Sequence, residues 1–169
     1  MIRCASIVFA TALVAAPLPS PLSPADALKA FEAAPGLRVE LVASEPLVAS
    51  PCAIAFDSKG RLFVAENRGY PIGPKEGEKP VGVIALLEDT DKDGKADKVK
   101  EFAKVHNPLG FEFWNGGVIV TSQPDIIFLK DTDGDDVADV RYVIMQGIGS
   151  SDTHHAANNL IFGPDGGIY

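Results

Sequence analysis

Two stretches of this chain are nearly one sequence written twice: "IALLEDTDKDGKADKVKEF" from Ile84 to Phe102 and "IIFLKDTDGDDVADVRYVI" from Ile126 to Ile144. They align without a gap at a spacing of 42 residues, and each reads as an apolar strand, an aspartate-rich loop and an alternating strand. A second echo joins "FDSKGRLFVA" (Phe56 to Ala65), "FWNGGVIVT" (Phe113 to Thr121) and "FGPDGGIY" (Phe162 to Tyr169). Each is an aromatic residue, a turn and an apolar strand. The turn glycines Gly60, Gly116 and Gly166 fall 56 and 50 residues apart, room for four short strands per unit. Four antiparallel strands cannot bury both faces alone, whereas units stacked radially bury each other. The expectation is an all-β fold, a partial β-propeller of about two blades plus the start of a third, cut off at the C-terminus. A small β-sandwich fits the strand count but leaves the long period unexplained.

Outward from the repeats, "AIAFDSKGRLFVAEN" (Ala53 to Asn67) predicts two short strands around a turn at Asp57 to Gly60. "LRVELVA" (Leu37 to Ala43) alternates apolar and polar residues, which predicts a strand, and Ala25 to Ala34 predicts a short helical turn ended by "APG". The N-terminus, "MIRCASIVFATALVAAPLPSPLSPADA", has one Arg, an apolar run from Cys4 to Ala16 and small residues that suit cleavage after Ala16 or Ala27. Residues 1–27 are therefore expected to be a secretory signal, with 28–169 exported to the periplasm or cell envelope. Without the signal, Cys52 is the only thiol, so no internal disulfide and no Cys-x-x-Cys motif is available, and Cys52 reads as a small buried hydrophobe.

The chain has 169 residues, 46% hydrophobic and 22% charged, which suits one globular domain. Its net charge of -8 and scattered 15 basic residues argue against a nucleic-acid partner, because phosphate neutralisation needs clustered Lys and Arg. The acidic surplus is concentrated in the two loops. In "DTDKDGKAD", Asp89, Asp91 and Asp93 alternate, Gly94 permits a sharp turn, Lys95 offers its carbonyl and Asp97 stands at position nine. Such spacing points oxygens to one centre and suits a hard cation, calcium first. Position twelve is Lys100 and strands flank the loop, so it is not an EF-hand. The second copy supplies Asp131, Asp133, Asp135, the Val137 carbonyl and Asp139, but carries Asp136 where glycine is expected, which predicts a weaker site. Asp-rich solvated turns form without any ion, the plain alternative for both loops.

The last stretch, "THHAANNLIFGPDGGIY" (Thr153 to Tyr169), carries adjacent histidines ahead of a turn and strand. A histidine suits proton abstraction near neutrality, and propeller loops converge on the central channel. The alternative is that one imidazole bonds a neighbouring strand while the other faces solvent. A metal centre from Asp152, His154 and His155 is disfavoured, since adjacent strand residues point to opposite faces. His106 and Asn107 are weaker candidates, and Trp114 and its aromatic neighbours read as blade core.

"HHAANNLIFGPDGGIY" resembles the "H-x-x-G-x-L-x-F-G-P-D-G-x-L-Y" signature of the soluble glucose and aldose sugar dehydrogenases, six-bladed propellers that use pyrroloquinoline quinone. "PCAIAFDSKGRLFVAENRG" (Pro51 to Gly69) resembles their first-blade pattern, and the two stretches together are similar to the N-terminal domain of membrane-bound dehydrogenases of planctomycete-type bacteria. The resemblance implies that His155 is the general base for a sugar or alcohol hydroxyl with His154 as its supporting partner. It also implies that Glu66, Arg68 and Asn159 face the quinone, and that a cytochrome c accepts the electrons. Asn158 and Asn159 depart from the family's usual Gly and Arg. The non-enzymatic alternative is a calcium-stiffened propeller that binds glycans or protein partners.

Overall fold

The computed structural model describes residues 20–74, 77–149, 154 and 156–169, and these divide into two compact units between Val39 and Glu40. Residues 1–19 of the expected signal lie outside the described residues. In the first unit, α1 (Pro24–Lys29) starts where Ser23 accepts from the Asp26 N–H, with Pro24 in the first turn and the Lys29–Asp26 ion pair on its surface. The helix is shorter than expected and buries none of its residues, so nothing extends it beyond its cap.

The second unit is all-β. Strands β1 (Pro51–Phe56), β2 (Leu62–Glu66), β3 (Gly82–Glu88) and β4 (Lys98–Val105) form one antiparallel sheet in chain order. Strands β5 (Pro108–Trp114), β6 (Gly117–Ser122), β7 (Asp125–Lys130) and β8 (Val140–Met145) form a second of the same order. The expected two strands around Asp57 to Gly60 are β1 and β2, and the 42-residue repeat is the pair β3–β4 against β7–β8. The inner hairpins repeat at a longer spacing because the β2–β3 connection runs from Asn67 to Val81, whereas β6 and β7 are joined by Gln123 and Pro124 alone. A third hairpin opens with the Phe162–Ile168 bridge, and Gly163 and Gly166 repeat the backbone bonds that Asp57 and Gly60 make.

The expected strand over residues 37–43 does not form: these residues pair with no described strand. Alternation fits a half-buried strand, but a strand needs a neighbouring edge. Two further expectations are corrected. Cys52 is exposed, because it sits at a bulge opposite Ala65 and Glu66, and its single thiol proton can go to either the Ala65 or the Pro108 carbonyl, 3.2 and 2.9 Å away. Trp114 is 43% exposed and lies edge-on to Phe128, on the face of β5 opposite the buried Phe111.

The core lies between the sheets and joins Phe63, Ile84, Leu86 and Phe102 to Phe111, Val120, Ile127 and Leu129. Sequence equivalence makes this contact directional. Ile84 and Leu86 face the second sheet, while their counterparts 42 residues on, Ile126 and Phe128, do not face the first. The facing residues are Ile127 and Leu129, counterparts of Ala85 and Leu87, and that pair turns to a separate cluster with Val48 and Leu47. Each sheet thus offers one face backwards along the chain and the other forwards.

Candidate active-site cleft and metal loops

In a chain-order antiparallel sheet, successive connections alternate between two ends, so the functional candidates separate onto two rims. One rim carries the turn over residues 57–61 and the loops over 89–97 and 131–139. The other carries the segment after Glu66, the β4–β5 connection and His154.

The two aspartate loops share most of their hydrogen bonds, differing where Asp89 also accepts from Asp93 N–H at 3.2 Å and Asp131 from Gly134 N–H at 2.7 Å. In the first, Asp89 accepts from Gly94 N–H at 2.8 Å, Asp97 accepts from Thr90 Oγ1 at 2.7 Å and Asp93 from Lys95 N–H at 2.8 Å. In the second, Asp131 accepts from Asp136 N–H at 2.8 Å, Asp139 from Thr132 Oγ1 at 2.7 Å and Asp135 from Val137 N–H at 2.8 Å. Asp89, Asp91 and Asp97 bring one oxygen each within 4.8 Å of one another, as do Asp131, Asp133 and Asp139, so each triad could hold a metal ion. Asp93 and Asp135 accept from the Lys95 and Val137 N–H groups and stand outside these triads. The missing glycine of the second loop is a displaced one. Both loops need positive φ at two positions, filled by Lys92 (63°) and Gly94 (90°) in the first and by Gly134 (85°) and Asp136 (64°) in the second.

Burial tends to raise the Asp89 carboxyl, but the N–H groups of Gly94, Lys92 and Asp93 outweigh it and hold it below the ordinary aspartate value. Asp131 is likewise lowered, first by the Gly134 N–H. The second loop is also tied to the first sheet. Arg61 bridges Asp57 at 2.9 Å and Asp136 at 2.5 Å, Ala138 N–H donates to the Phe102 carbonyl at 2.8 Å, and Lys100 Nζ donates to the Asp135 carbonyl.

At the other rim, β1 and β5 lie side by side, and an open cleft of about 630 Å³ runs over them. Cys52, Gly110, Glu112, His154 and Asn159 contribute to its lining. Asn159, with φ 54°, brings its backbone N against Gly110, where a Cβ would stand 2.6 Å away. His154 is exposed and its ring meets Tyr70 edge-on, centroids 5.3 Å apart at 75°. His155 lies outside the described residues, as does Asp152.

The structure brings His154 and Asn159 into the cleft and leaves Glu66 out of its lining. Glu66 is wholly buried, on the β2 face that carries Leu62 and Val64, where it accepts from Ala49 N–H at 2.6 Å and from Arg68 at 2.5 Å. The Arg68 side chain is 42% exposed. Sequence reasoning missed Tyr70, Glu112 and the Arg61 bridge. Their motifs carry no signal, because only the strand register and the approach of the sheets bring them to these places.

No curated protein matches the chain. A solved structure described as a calcium structure of Trichoderma reesei carbohydrate-active enzymes family AA12 is similar in fold, with TM-score 0.54 and 18% identity over 73% of this chain. This chain spans 29% of the length of that one. Residues 23–169 match the family described as "Domain of unknown function (DUF7133)", and the chain belongs to that family.

Proposed function

We propose that this chain is a β-propeller module of an exported oxidoreductase of the sugar-dehydrogenase type, with chemistry at the His154 rim and calcium staples at the opposite rim. Directional stacking supports the propeller, since a heterologous contact repeated with a closing rotation makes a ring. Six blades follow from the resemblance. The catalytic reading is carried by one observation: the cleft over the adjoining strands β1 and β5 places an imidazole, a carboxylate and an amide around one space.

In this reading a sugar or related alcohol enters the cleft, and His155 takes the hydroxyl proton, for which a neutral imidazole is suited near pH 7. Tyr70 packs on His154 and limits its ring orientations, and His154 in turn supports the base. Glu112 and Asn159 are placed to accept from or donate to the other hydroxyls.

Pyrroloquinoline quinone, which the resemblance implies as hydride acceptor, does not fit the described lining. It carries three carboxylates, and the lining offers the carboxylate Glu112 and neither Lys nor Arg. Arg68 is engaged by Glu66. No step is therefore assigned to the quinone, and a cytochrome c partner stays part of the proposal alone. Calcium fits better, because both triads are hard oxygen donors and like-charged carboxylates so close favour a cation between them.

The test is sugar-dependent dye reduction, with and without added quinone, by the protein that carries this chain. His155→Ala is expected to cost about 10²–10⁴-fold in turnover. Absence of any sugar-dependent reduction in the unmodified protein sinks this reading in favour of a calcium-stiffened propeller that binds glycans or proteins. The cation-free lining and the engaged Glu66 favour that second reading.

A further inference from the structure

Four glutamates lie in the strands of the second unit: Glu66 in β2, Glu88 in β3, Glu101 in β4 and Glu112 in β5. The first three meet a cation. Glu66 pairs with Arg68, Glu88 with Lys98 at 2.7 Å and Glu101 with Lys104 at 3.6 Å. Glu112 has no cation among the described residues. Its Oε1 accepts from the Phe113 N–H at 2.9 Å, and its Oε2 has no hydrogen-bond partner among them.

Register explains the difference. Glu112 stands opposite Ile119 in β6, and its neighbours on the same face of β5 are Gly110 and Trp114, so no basic side chain is brought beside it. Ala55, opposite Phe63, holds the equivalent place in β1, so the carboxylate is not part of the repeat. Glutamate is disfavoured in strands, and half-burial strips some of its hydration, for which one backbone N–H compensates only in part. The carboxylate lines the open cleft over β1 and β5 with Cys52, His154 and Asn159. No Lys or Arg lines that cleft among the described residues, and none occurs from Tyr142 to Tyr169, the stretch that supplies His154 and Asn159.

From this placement we infer that Glu112 is the recognition group for a positively charged amine, and that the cleft takes aminated sugars in preference to neutral sugars and sugar acids. The inference rests on the cleft being a sugar site. A protonated amine brings several N–H donors and a charge, and its bond to the free Oε2 is stronger than that of a hydroxyl in the same place. The carboxylate of a sugar acid would instead meet a like charge with no cation beside it.

Calorimetric titration of the protein that carries this chain with D-glucose, D-glucosamine and D-glucuronate tests it, at about pH 7, where an amine of the α-amino range of about 7.7–8.0 is mostly protonated. D-glucosamine is expected to bind about tenfold tighter than D-glucose, and D-glucuronate more weakly than either. The margin for D-glucosamine is expected to shrink as salt is raised, a measurement made on the unmodified protein. Glu112→Gln, which keeps the shape of the side chain and removes its charge, is expected to bring D-glucosamine down to the affinity of D-glucose. Equal affinities for these two in the unmodified protein, or a margin that survives Glu112→Gln, overturns the inference and leaves the sugar site standing. No heat with any of the three overturns the inference together with the sugar site.

Discussion

The two sheets share strand order, bulges and an aspartate loop with most of its hydrogen bonds, yet they stand in different surroundings. In the first, β2 is buried throughout and β3 from Gly82 to Leu87. In the second, β6 is likewise buried throughout, but β7, the counterpart of β3, is buried only from Ile127 to Leu129, and β8 is exposed from Arg141 to Met145 where β4 buries Phe102. Equivalent residues with similar local sequence thus differ in burial because of what packs beside them. Local pattern makes the strand; the neighbour decides how much the strand contributes.

The sharpest way to break that comparison is at Phe102 and Ile144, the bulge residues that the β3–β4 and β7–β8 ladders skip. Phe102→Ala, which empties part of the inter-sheet core, is expected to cost about 3–5 kcal/mol, and Ile144→Ala less than about 1 kcal/mol. Denaturant titration of both variants checks this, and similar losses would mean that β8 is covered in solution.

The loops come next. If both triads bind calcium, a free concentration of about 100 times Kd stabilises each loop by about 2.7 kcal/mol. Asp91→Asn and Asp133→Asn should each remove part of the heat in calorimetry, and the double variant all of it. Without calcium the pH response has a definite sign. Asp89 and Asp131 are depressed in the folded chain, so their contribution is present above the ordinary aspartate range of about 4 and is lost as pH falls through their lower folded values. A melting temperature that holds steady under acid titration below that range would contradict it.

A smaller contrast lies at the ends of β2 and β6. Glu66 caps the incoming chain by accepting from Ala49 N–H, and its counterpart Ser122 accepts from His106 N–H at 3.1 Å. Glu66→Ala leaves the half-buried Ala49 N–H and the Arg68 guanidinium without their carboxylate and is expected to cost about 1–3 kcal/mol, whereas Ser122→Ala costs about 0.5–1.5 kcal/mol. Equal costs would show that the Arg68 pair contributes nothing. The smallest effect is Lys92→Gly, expected to stabilise by about 0.5–1 kcal/mol because Lys92 holds a positive φ that Gly134 fills without strain in the other loop. Thermal melts resolve it.

Much of the fold was legible because its signals are local. Period-two alternation, the turn glycines and the 42-residue echo marked β1 to β4, β6 to β8 and both aspartate loops, whereas β5 was implied only by the room for four strands per unit. Two local inferences failed for one reason. Cys52 and Trp114 were assigned to the interior by residue type, but a bulge exposes one and the outward face of β5 carries the other. Of the site, the carboxylate triads were readable from spacing, while Tyr70 and Glu112 were not, since both reach the His154 rim through contacts between distant segments.

By itself the sequence determined an all-β chain of repeated four-strand units with two acidic loops, because strand periodicity and loop spacing are properties of consecutive residues. Only the tertiary structure decided which face of each sheet meets the other and that Glu66 is buried against Arg68. Those outcomes depend on register and on contacts between residues far apart in the chain, and a one-residue change of register would invert every one of those faces.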